Sequence, residues 1–230
     1  MRLRLVTAAE EQAWNDRQLA APVRAPHLGL WAYRAPAVVL GASQRAQLAR
    51  GAQPDATGMP VVARRTGGGA VLVGPGVLGV SVALPPDHRL VLPGIVSSYE
   101  WFGRAHVRAL GRLGVACEAV RPDCVRSEPC SPSIAWACFG TLSPWEVVTL
   151  PQRRKLVGLA QRRARTGVLL VSGALVVQPD WDALCRALGR PSEDAQVLRE
   201  RTSSCAQDIS ITDVADALAQ ELEEFSPPRR

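Results

Sequence analysis

The chain is almost devoid of lysine. Lys155 is the single lysine among 27 basic residues, and every other one is an arginine. Arginine carries a flat and permanently charged fork, whereas lysine carries a compact ammonium that can approach a carbonyl, a carboxylate or a thiolate as a point charge. The exception at position 155 therefore predicts a site that needs an amine. The alternative is that a coding bias towards arginine left one lysine by chance on a solvated face.

Long hydrophobic runs are also missing. The longest apolar stretch, residues 70–84, is interrupted by Gly74, Pro75, Gly76 and Gly79, whereas a membrane-spanning helix needs roughly 20 consecutive apolar residues. The N-terminal segment contains no apolar core of the kind that a signal peptide carries. The sequence therefore predicts no membrane span, and we expect a cytoplasmic protein.

The patterns typical of metal sites and of nucleic-acid binding are absent as well. The six cysteines stand at positions 117, 124, 130, 138, 185 and 205. They form no Cys-x-x-Cys pair and have no histidine at ligand spacing, so we predict free thiols and no metal site. The net charge of +6 suits an acidic partner, but the arginines are spread along the chain and are not interleaved with aromatic residues. An acidic carrier protein is therefore a better prediction than a nucleic acid.

The residues that are present predict one α+β domain. Of the 230 residues 47% are hydrophobic and 21% charged, which suffices for a sizeable core. Amphipathic periodicity predicts helices at residues 8–20, 95–113, 181–188 and 211–224. Apolar and β-branched runs predict strands at residues 28–33, 38–41, 61–65, 70–73, 78–84, 115–121, 145–150, 155–161 and 168–177. Without strict βαβ alternation, this order predicts an α+β sheet domain over residues 1–226, followed by a disordered tail at 227–230.

A glycine-rich loop joins two of the predicted strands. It reads Arg-Arg-Thr-Gly-Gly-Gly-Ala-Val at residues 64–71. Consecutive glycines let backbone amides approach a ligand, because no Cβ stands in the way, and Arg64 and Arg65 can neutralise an anion. The loop lacks the Lys-Ser/Thr ending of a P-loop and the helix that follows a dinucleotide fingerprint. A glycine-rich hairpin without a ligand is the alternative.

The lone lysine and one cysteine mark two further segments. On a regular strand Lys155 lies on one face, whereas Gly158 and Ala160 lie on the other. The small residues leave room for an elongated apolar ligand whose carbonyl end the lysine head would reach. Cys138 stands between aromatic residues in the run Trp-Ala-Cys-Phe-Gly at 136–140. An ammonium near a cysteine favours the thiolate, which is the nucleophilic form.

These segments together resemble a known family. The runs concerned are residues 64–71, Ala-Cys-Phe at 137–139, Trp-Glu-Val-Val at 145–148 and Lys-Leu-Val-Gly-Leu-Ala-Gln-Arg-Arg at 155–163. In this order they resemble the lipoate-protein ligase and octanoyltransferase branch of the biotin/lipoate ligase superfamily. Residues 36–44 look like the early strand of that family and its Gly-x-Ser-Gln turn. The resemblance covers roughly residues 28–178 and implies a mixed, mostly antiparallel sheet flanked by helices.

The resemblance also implies roles for individual residues. In the Cys-dependent octanoyltransferases that the chain looks like, the cysteine before the lysine motif takes the acyl group as a thioester, so Cys138 is the predicted nucleophile. Lys155 would contact the acyl carbonyl or an acyl-adenylate and, with a backbone amide, stabilise the oxyanion. The glycine-rich loop would close over the ligand. The residues implied in substrate binding are Arg64, Arg65, Gly67, Gly68, Gly69, Ala70, Gly158 and Ala160.

Three functions remain open at this point. A transferase would move an octanoyl or lipoyl group from an acyl carrier protein to a lysine of a lipoyl-domain or H-protein-like acceptor, and would need no cofactor. A ligase would use ATP and Mg to activate lipoate as its adenylate. A non-catalytic homologue would only bind the lipoyl domain. The sequence shows no extra small domain of the kind that many ATP-using ligases carry, which favours ATP-independent transfer.

Two positions depart from the pattern of the family. Val73 and Ser172 stand where many members have a histidine, and both are small enough to widen the predicted pocket. The histidines of this chain, His27, His88 and His106, lie outside the motifs. None of them is predicted to be a general base.

Overall fold

A large β-sheet dominates the structure, a computed structural model that describes residues 2–46, 58–92, 94–127 and 133–223. The strands are β1 (Leu3–Val6), β2 (His27–Tyr33), β3 (Ala37–Leu40), β4 (Val61–Ala63), β5 (Val71–Val73), β6 (Val77–Leu84), β7 (Cys117–Ala119), β8 (Val147–Thr149), β9 (Lys155–Ala164) and β10 (Gly167–Leu175). The large sheet has the order β1-β2-β6-β10-β9-β8-β7, and a small one has the order β4-β3-β5. β1 with β2 and β3 with β4 are parallel, and the other pairs are antiparallel. The predicted mixed, mostly antiparallel sheet is confirmed.

Helices flank these sheets. They are α1 (Ala8–Gln18), α2 (Ile95–Arg112), α3 (Pro122–Ser127), α4 (Trp181–Ala187), α5 (Ser192–Arg201) and α6 (Ile211–Glu223), and short 3-10 turns lie at Ala42–Gln44 and Cys138–Gly140. α2 and α6 pack against each other, and Leu110 and Leu218 are fully buried there. Within the ranges that the structure describes, no helix is both long and apolar enough to cross a membrane.

The centre of the large sheet carries a row of three glycines. Gly173 of β10 pairs with Gly79 of β6 on one side and with Gly158 of β9 on the other. Directly opposed residues on neighbouring strands point to the same face of the sheet. Three opposed residues with side chains would therefore cover that face along a line. Here no side chain of the row itself covers that face, and the space is open above Gly173, the middle glycine.

The observed elements correct the predicted boundaries. The predicted strands at 115–121 and 145–150 shorten to three residues each, and the strand at 61–65 ends at Ala63. That strand ends early because the Arg64 side chain turns back to bond the glycine-rich loop. The first helix ends at Gln18 rather than at residue 20, whereas β9 extends to Ala164.

Three elements were not predicted, namely β1, α3 and α5. β1 has only four residues and pairs on one side, with one exposed leucine, Leu5. α5 buries only Ala195 and Leu198, so its apolar periodicity is weak. Residue 224 and the predicted tail at 227–230 lie outside the described residues, and the single domain over 1–226 stays a prediction.

Candidate active site

A cavity of about 50 Å³ lies over Gly158 and Gly173 of the glycine row. The walls of the cavity are mostly aliphatic and include Val39, Val71, Val73, Val77, Leu159 and Val171. We call the glycine row the floor. A Cβ placed on Gly173 would meet only Val77 Cγ1, at 3.9 Å, so the middle of this floor is open. A Cβ on Gly158 would lie 3.5 Å from Cys138 Sγ, and one on Gly79 would lie 2.3 Å from Tyr33 Oη. The thiol and the phenol therefore stand over opposite ends of the floor, two strand spacings or about 10 Å apart.

The backbone holds the Cys138 turn against the glycine-rich loop. Cys138 N donates to Ala70 O at 2.8 Å, and Ala70 N donates to Trp136 O at 2.8 Å. Gln44 Nε2 donates to the same Trp136 carbonyl at 2.9 Å. These bonds fix the thiol relative to the loop, and Cys138 is partly buried at the edge of the cavity.

Arg64 organises the loop from inside the cavity. It is buried, and its guanidinium donates to Gly67 O through Nε and Nη2 and to Gly69 O through Nη2, at 2.9–3.1 Å. Gly68 adopts φ +91°, a left-handed conformation that favours glycine, and its Cβ position lies 3.8 Å from Cys138 Sγ. The loop thus presents bare backbone to the thiol.

The early Gly-x-Ser-Gln turn supports the same loop. A Cβ on Gly41 would lie 1.7 Å from Gly68 O, so only glycine allows the two backbones this close. Gln44, at the end of that turn, makes the bond to Trp136 described above. The 36–44 segment therefore belongs to the site, although it does not carry a reacting group.

Lys155 binds the Cys138 turn instead of facing the cavity. Its Nζ donates to Cys138 O at 2.7 Å and to Thr141 O at 3.0 Å, and it pairs with Glu146 Oε2 at 2.7 Å. The side chains of Lys155 and Glu146 are only 4% and 3% exposed. The other Glu146 oxygen accepts from Leu159 N at 3.1 Å. An ammonium has three N–H donors, and all three are used here.

A register shift places this lysine. Val147 of β8 pairs with Val157, but Val148 pairs with Lys155, so β9 contains one extra residue at this point. Such a bulge reverses the alternation of side chains. Lys155 Cε accordingly lies 3.5 Å from the Cβ position of Gly158. The prediction that Lys155 and Gly158 occupy opposite faces is therefore wrong.

The remaining predicted binding residues separate into two groups. Arg64, Gly158 and Ala160 line the cavity. Arg65 does not, because its exposed side chain pairs with Asp16 at 3.1 Å. Gly69 packs on the backbone of Trp136, where a Cβ would lie 2.5 Å from the carbonyl oxygen.

A buried polar pair closes the far end of the cavity and was missed from the sequence. Tyr33 Oη donates to Glu11 Oε2 at 2.8 Å, and Asn15 Nδ2 donates to Glu11 Oε1 at 3.3 Å. Burial raises the pKa of Glu11 above its ordinary value, and burial together with the neighbouring carboxylate raises the pKa of Tyr33 well above its own. The signal in the sequence was the pairing of Glu11 and Asn15, four residues apart on the buried face of α1.

Ser172 and His106 form a second buried contact. Ser172 borders the cavity, but its hydroxyl lies 2.9 Å from His106 Nε2 of α2. His106 Nδ1 lies 2.8 Å from Phe102 O. We assign the proton to Nδ1, so that Nε2 accepts from Ser172. Burial lowers the pKa of His106 to about 4, which keeps the imidazole neutral.

The other described thiols lie outside the cavity. Burial raises the pKa of Cys117, Cys185 and Cys205 to about 11, so each favours the protonated form. Cys124 lies in the short helix α3. Cys130 lies outside the described residues. Among the described cysteines, only Cys138 borders the cavity over the glycine row.

Comparisons with known proteins identify the family of the chain. The family model described as the lipoyl protein ligase A/B catalytic domain matches residues 6–223. The chain is 34% identical to octanoyltransferase LipM of Kyrpidia tusciae over 198 residues, which cover 84% of this chain and 69% of that protein. It is also 34% identical to octanoyltransferase LipM of Moorella thermoacetica over 171 residues, 73% of this chain and 59% of that protein.

A solved structure has the same fold. The bipartite lipoate protein ligase of Thermoplasma acidophilum, studied with its E2 lipoyl domain, superposes with a TM-score of 0.66. The match covers 98% of this chain and 84% of the other, at 20% sequence identity. At that identity the likeness bears on the fold alone.

Proposed function

We propose that this chain, which belongs to the lipoyl protein ligase A/B catalytic domain family, is an acyltransferase that moves an octanoyl group onto a lysine of a lipoyl-domain protein. The donor is an acyl carrier protein, and Cys138 carries the acyl group between the two as a thioester. The reaction needs no ATP. The names of the two relatives that are 34% identical support octanoyl transfer.

One observation carries the proposal, namely a glycine row that starts beside the Cys138 thiol and is open above Gly173. The floor runs about 10 Å from the end under Cys138 to the end under Tyr33. An extended chain of eight carbons spans about 9 Å between its first and last carbon. An octanoyl group bound to Cys138 Sγ would therefore lie over Gly158 and Gly173 and end near Tyr33, whose hydroxyl covers Gly79.

The chemistry proceeds in two exchanges. The Cys138 thiolate attacks the carbonyl carbon of the donor thioester, and the bond to the carrier sulfur breaks, so the carrier leaves as a thiolate. The neutral amine of the acceptor lysine then attacks the acyl-enzyme carbonyl. The carbon–sulfur bond to Cys138 breaks, and the proton lost by the nitrogen restores the thiol. The proton that Cys138 gave up on forming its thiolate goes to the carrier thiolate. The products are therefore an amide and a free carrier thiol, and no oxidant or nucleotide enters the balance.

Lys155 and Glu146 act in this scheme by holding the Cys138 turn. The ammonium binds the carbonyl oxygens of Cys138 and Thr141 on one side and the Glu146 carboxylate on the other. Its charge is thereby compensated within the protein. The direct contact of Lys155 with the acyl carbonyl stays a prediction, and it requires the lysine to exchange one of these bonds for the substrate oxygen.

Replacement of the thiol tests the proposal. We would measure octanoylation of an apo lipoyl domain from octanoyl-acyl carrier protein without ATP. Cys138→Ser should lose transfer, because an alcohol is a poorer nucleophile and leaving group than a thiol. Cys117→Ser, at a second partly buried cysteine outside the cavity, should retain it. Full transfer by Cys138→Ser would refute the thioester, and modification that depends on lipoate plus ATP would favour the ligase.

A further inference from the structure

A second cavity lies behind the Cys138 turn. It has a volume of about 220 Å³, and Phe139, Thr141, Arg154, Lys155 and Arg201 are among its lining residues. Phe139, a buried residue, also lines the cavity over the glycines, so the two cavities lie on either side of the turn that carries the thiol. This second cavity plays no part in the scheme above.

Two arginines, Arg154 and Arg201, line it together. Lys155 and Thr202 form a parallel bridge, and Ser203 N donates to Lys155 O at 3.0 Å. Arg154 precedes Lys155, and Arg201, the last residue of α5, precedes Thr202, so the bridge brings both arginines to the border of the same cavity.

Within the described ranges, neither guanidinium has an ion pair or a side-chain hydrogen bond to the protein. The neighbouring Arg153 pairs with Glu118, and Glu200, which also lines the cavity, accepts from Gln196. Two unpaired guanidinium groups facing one concave space are the arrangement that binds an oxyanion, because each presents several N–H donors in a fixed plane.

The position of Arg154 and Arg201 relative to the Cys138 thiol limits which anion they can bind during the reaction. The lysine side chain runs from the Lys155 backbone, beside the arginines, to the Cys138 carbonyl, and it spans about 6 Å when extended. The arginines therefore lie roughly one lysine length beyond the Cys138 turn. An anion linked to the acyl thioester by a flexible arm can reach them while the carbonyl is at Cys138 Sγ.

We propose that Arg154 and Arg201 bind the phosphate of the phosphopantetheine arm that carries the acyl group on the donor protein. This assignment rests on the proposed octanoyl transfer. The acyl chain enters the cavity over the glycines, the thioester meets Cys138, and the phosphate of the arm reaches the second cavity. The arginines thus select the donor by its phosphate and leave the acceptor step unaffected.

The test compares donors with and without the phosphate. We would measure the rate of acylation of Cys138 by octanoyl-4′-phosphopantetheine and by octanoyl-pantetheine, using intact mass. In the double variant Arg154→Gln/Arg201→Gln, kcat/KM should fall about tenfold or more for the phosphorylated donor. For the donor without phosphate it should change by less than about twofold. Equal losses on both donors, or no loss on either, would overturn the proposal.

A matched control removes the same charge elsewhere. Arg24 and Arg165 are exposed and lie near each other, because Val23 N bonds Thr166 O at 2.7 Å. They lie at the other end of β9, about 30 Å from Lys155. Arg24→Gln/Arg165→Gln should leave the ratio between the two donors unchanged. A similar drop in this control would show a general charge effect and would overturn the assignment.

A binding measurement keeps the inference testable if the transferase function fails. Calorimetry with free 4′-phosphopantetheine and with pantetheine needs no turnover. The wild type should bind the phosphorylated compound more tightly, and the double variant should lose that preference. No preference in the wild type would overturn the proposal. If the double variant instead impairs only modification that depends on lipoate and ATP, the phosphate belongs to an adenylate and the assignment is wrong.

Discussion

Replacing Gly173 by alanine should block the acyl cavity without harming the fold. The added methyl group would stand in the open middle of the floor, where the nearest side-chain atom is Val77 Cγ1 at 3.9 Å. No neighbour has to move, and Gly173 has no positive φ. Alanine also restricts the unfolded chain, so the free energy of unfolding should stay equal or rise by about 0.5–1 kcal/mol.

The effect on catalysis follows from the size of the space. A cavity of about 50 Å³ has room for roughly four water-sized spheres, so one methyl group removes a substantial part of it. Forcing an extra methyl into packed contact costs typically about 1–3 kcal/mol. At about 1.4 kcal/mol per factor of ten, kcat/KM for octanoyl transfer should fall about 5- to 150-fold.

The length of the acyl chain supplies the internal control. Gly173 lies one strand spacing, about 4.8 Å, from Gly158 and the thiol end of the floor. An acetyl group on Cys138 does not extend that far, so acetyl transfer should be spared in Gly173→Ala. Gly111→Ala, at an exposed helix glycine with open space around its Cβ position, should affect neither donor. A folded Gly173→Ala variant with normal octanoyl transfer would refute the placement of the acyl chain.

Three further predictions concern buried polar groups. Lys155→Arg should abolish transfer, because a wide planar guanidinium cannot repeat the three hydrogen bonds of a 4% exposed ammonium. Wild-type turnover of this variant in a kinetic assay would refute the role given to Lys155. Glu146→Gln leaves that ammonium without its counter-charge and should cost about 3–5 kcal/mol in urea unfolding, and a loss below about 1 kcal/mol would show that the pair is not coupled. Burial lowers the pKa of His106 in the folded protein to about 4. As the pH falls below about 6.5, His106 is therefore protonated first in the unfolded chain, and the free energy of unfolding should fall by about 3 kcal/mol by pH 4. The raised pKa of Glu11 acts in the opposite direction and is present in both proteins to be compared. The urea midpoint of unfolding should therefore be followed from pH 7 to pH 4 in the wild type and in His106→Gln. We expect the midpoint to fall less steeply with pH in the variant, and an identical fall would contradict the assignment.

Local sequence signals were sufficient to find the parts of the site that lie within one segment. The glycine-rich loop, the Cys138 turn and the small residues of β9 each carry their signal in a few adjacent residues. Arg64, Cys138, Gly158 and Ala160, which the sequence singled out, line one cavity. Their catalytic and binding roles stay predictions.

The parts that were not predicted depend on contacts between distant segments. The face of the sheet on which the Lys155 side chain lies is set by the register of β9 on β8, because one extra residue reverses the alternation of side chains along the strand. The Lys155–Glu146 ion pair was not predicted, although Glu146 stands in the quoted run 145–148. The bond between Ser172 and His106 joins residues that are 66 positions apart, and sequence periodicity carries no information about such pairs.

The central claim is that Cys138 carries the acyl group, and intact mass of the protein tests it most directly. Purified protein would be mixed with octanoyl-acyl carrier protein without ATP, then treated with hydroxylamine or with an apo lipoyl domain. The account predicts one octanoyl adduct on Cys138 that hydroxylamine removes and that passes to the lipoyl domain. An absent adduct, with modification of the domain only when lipoate and ATP are supplied, would contradict it.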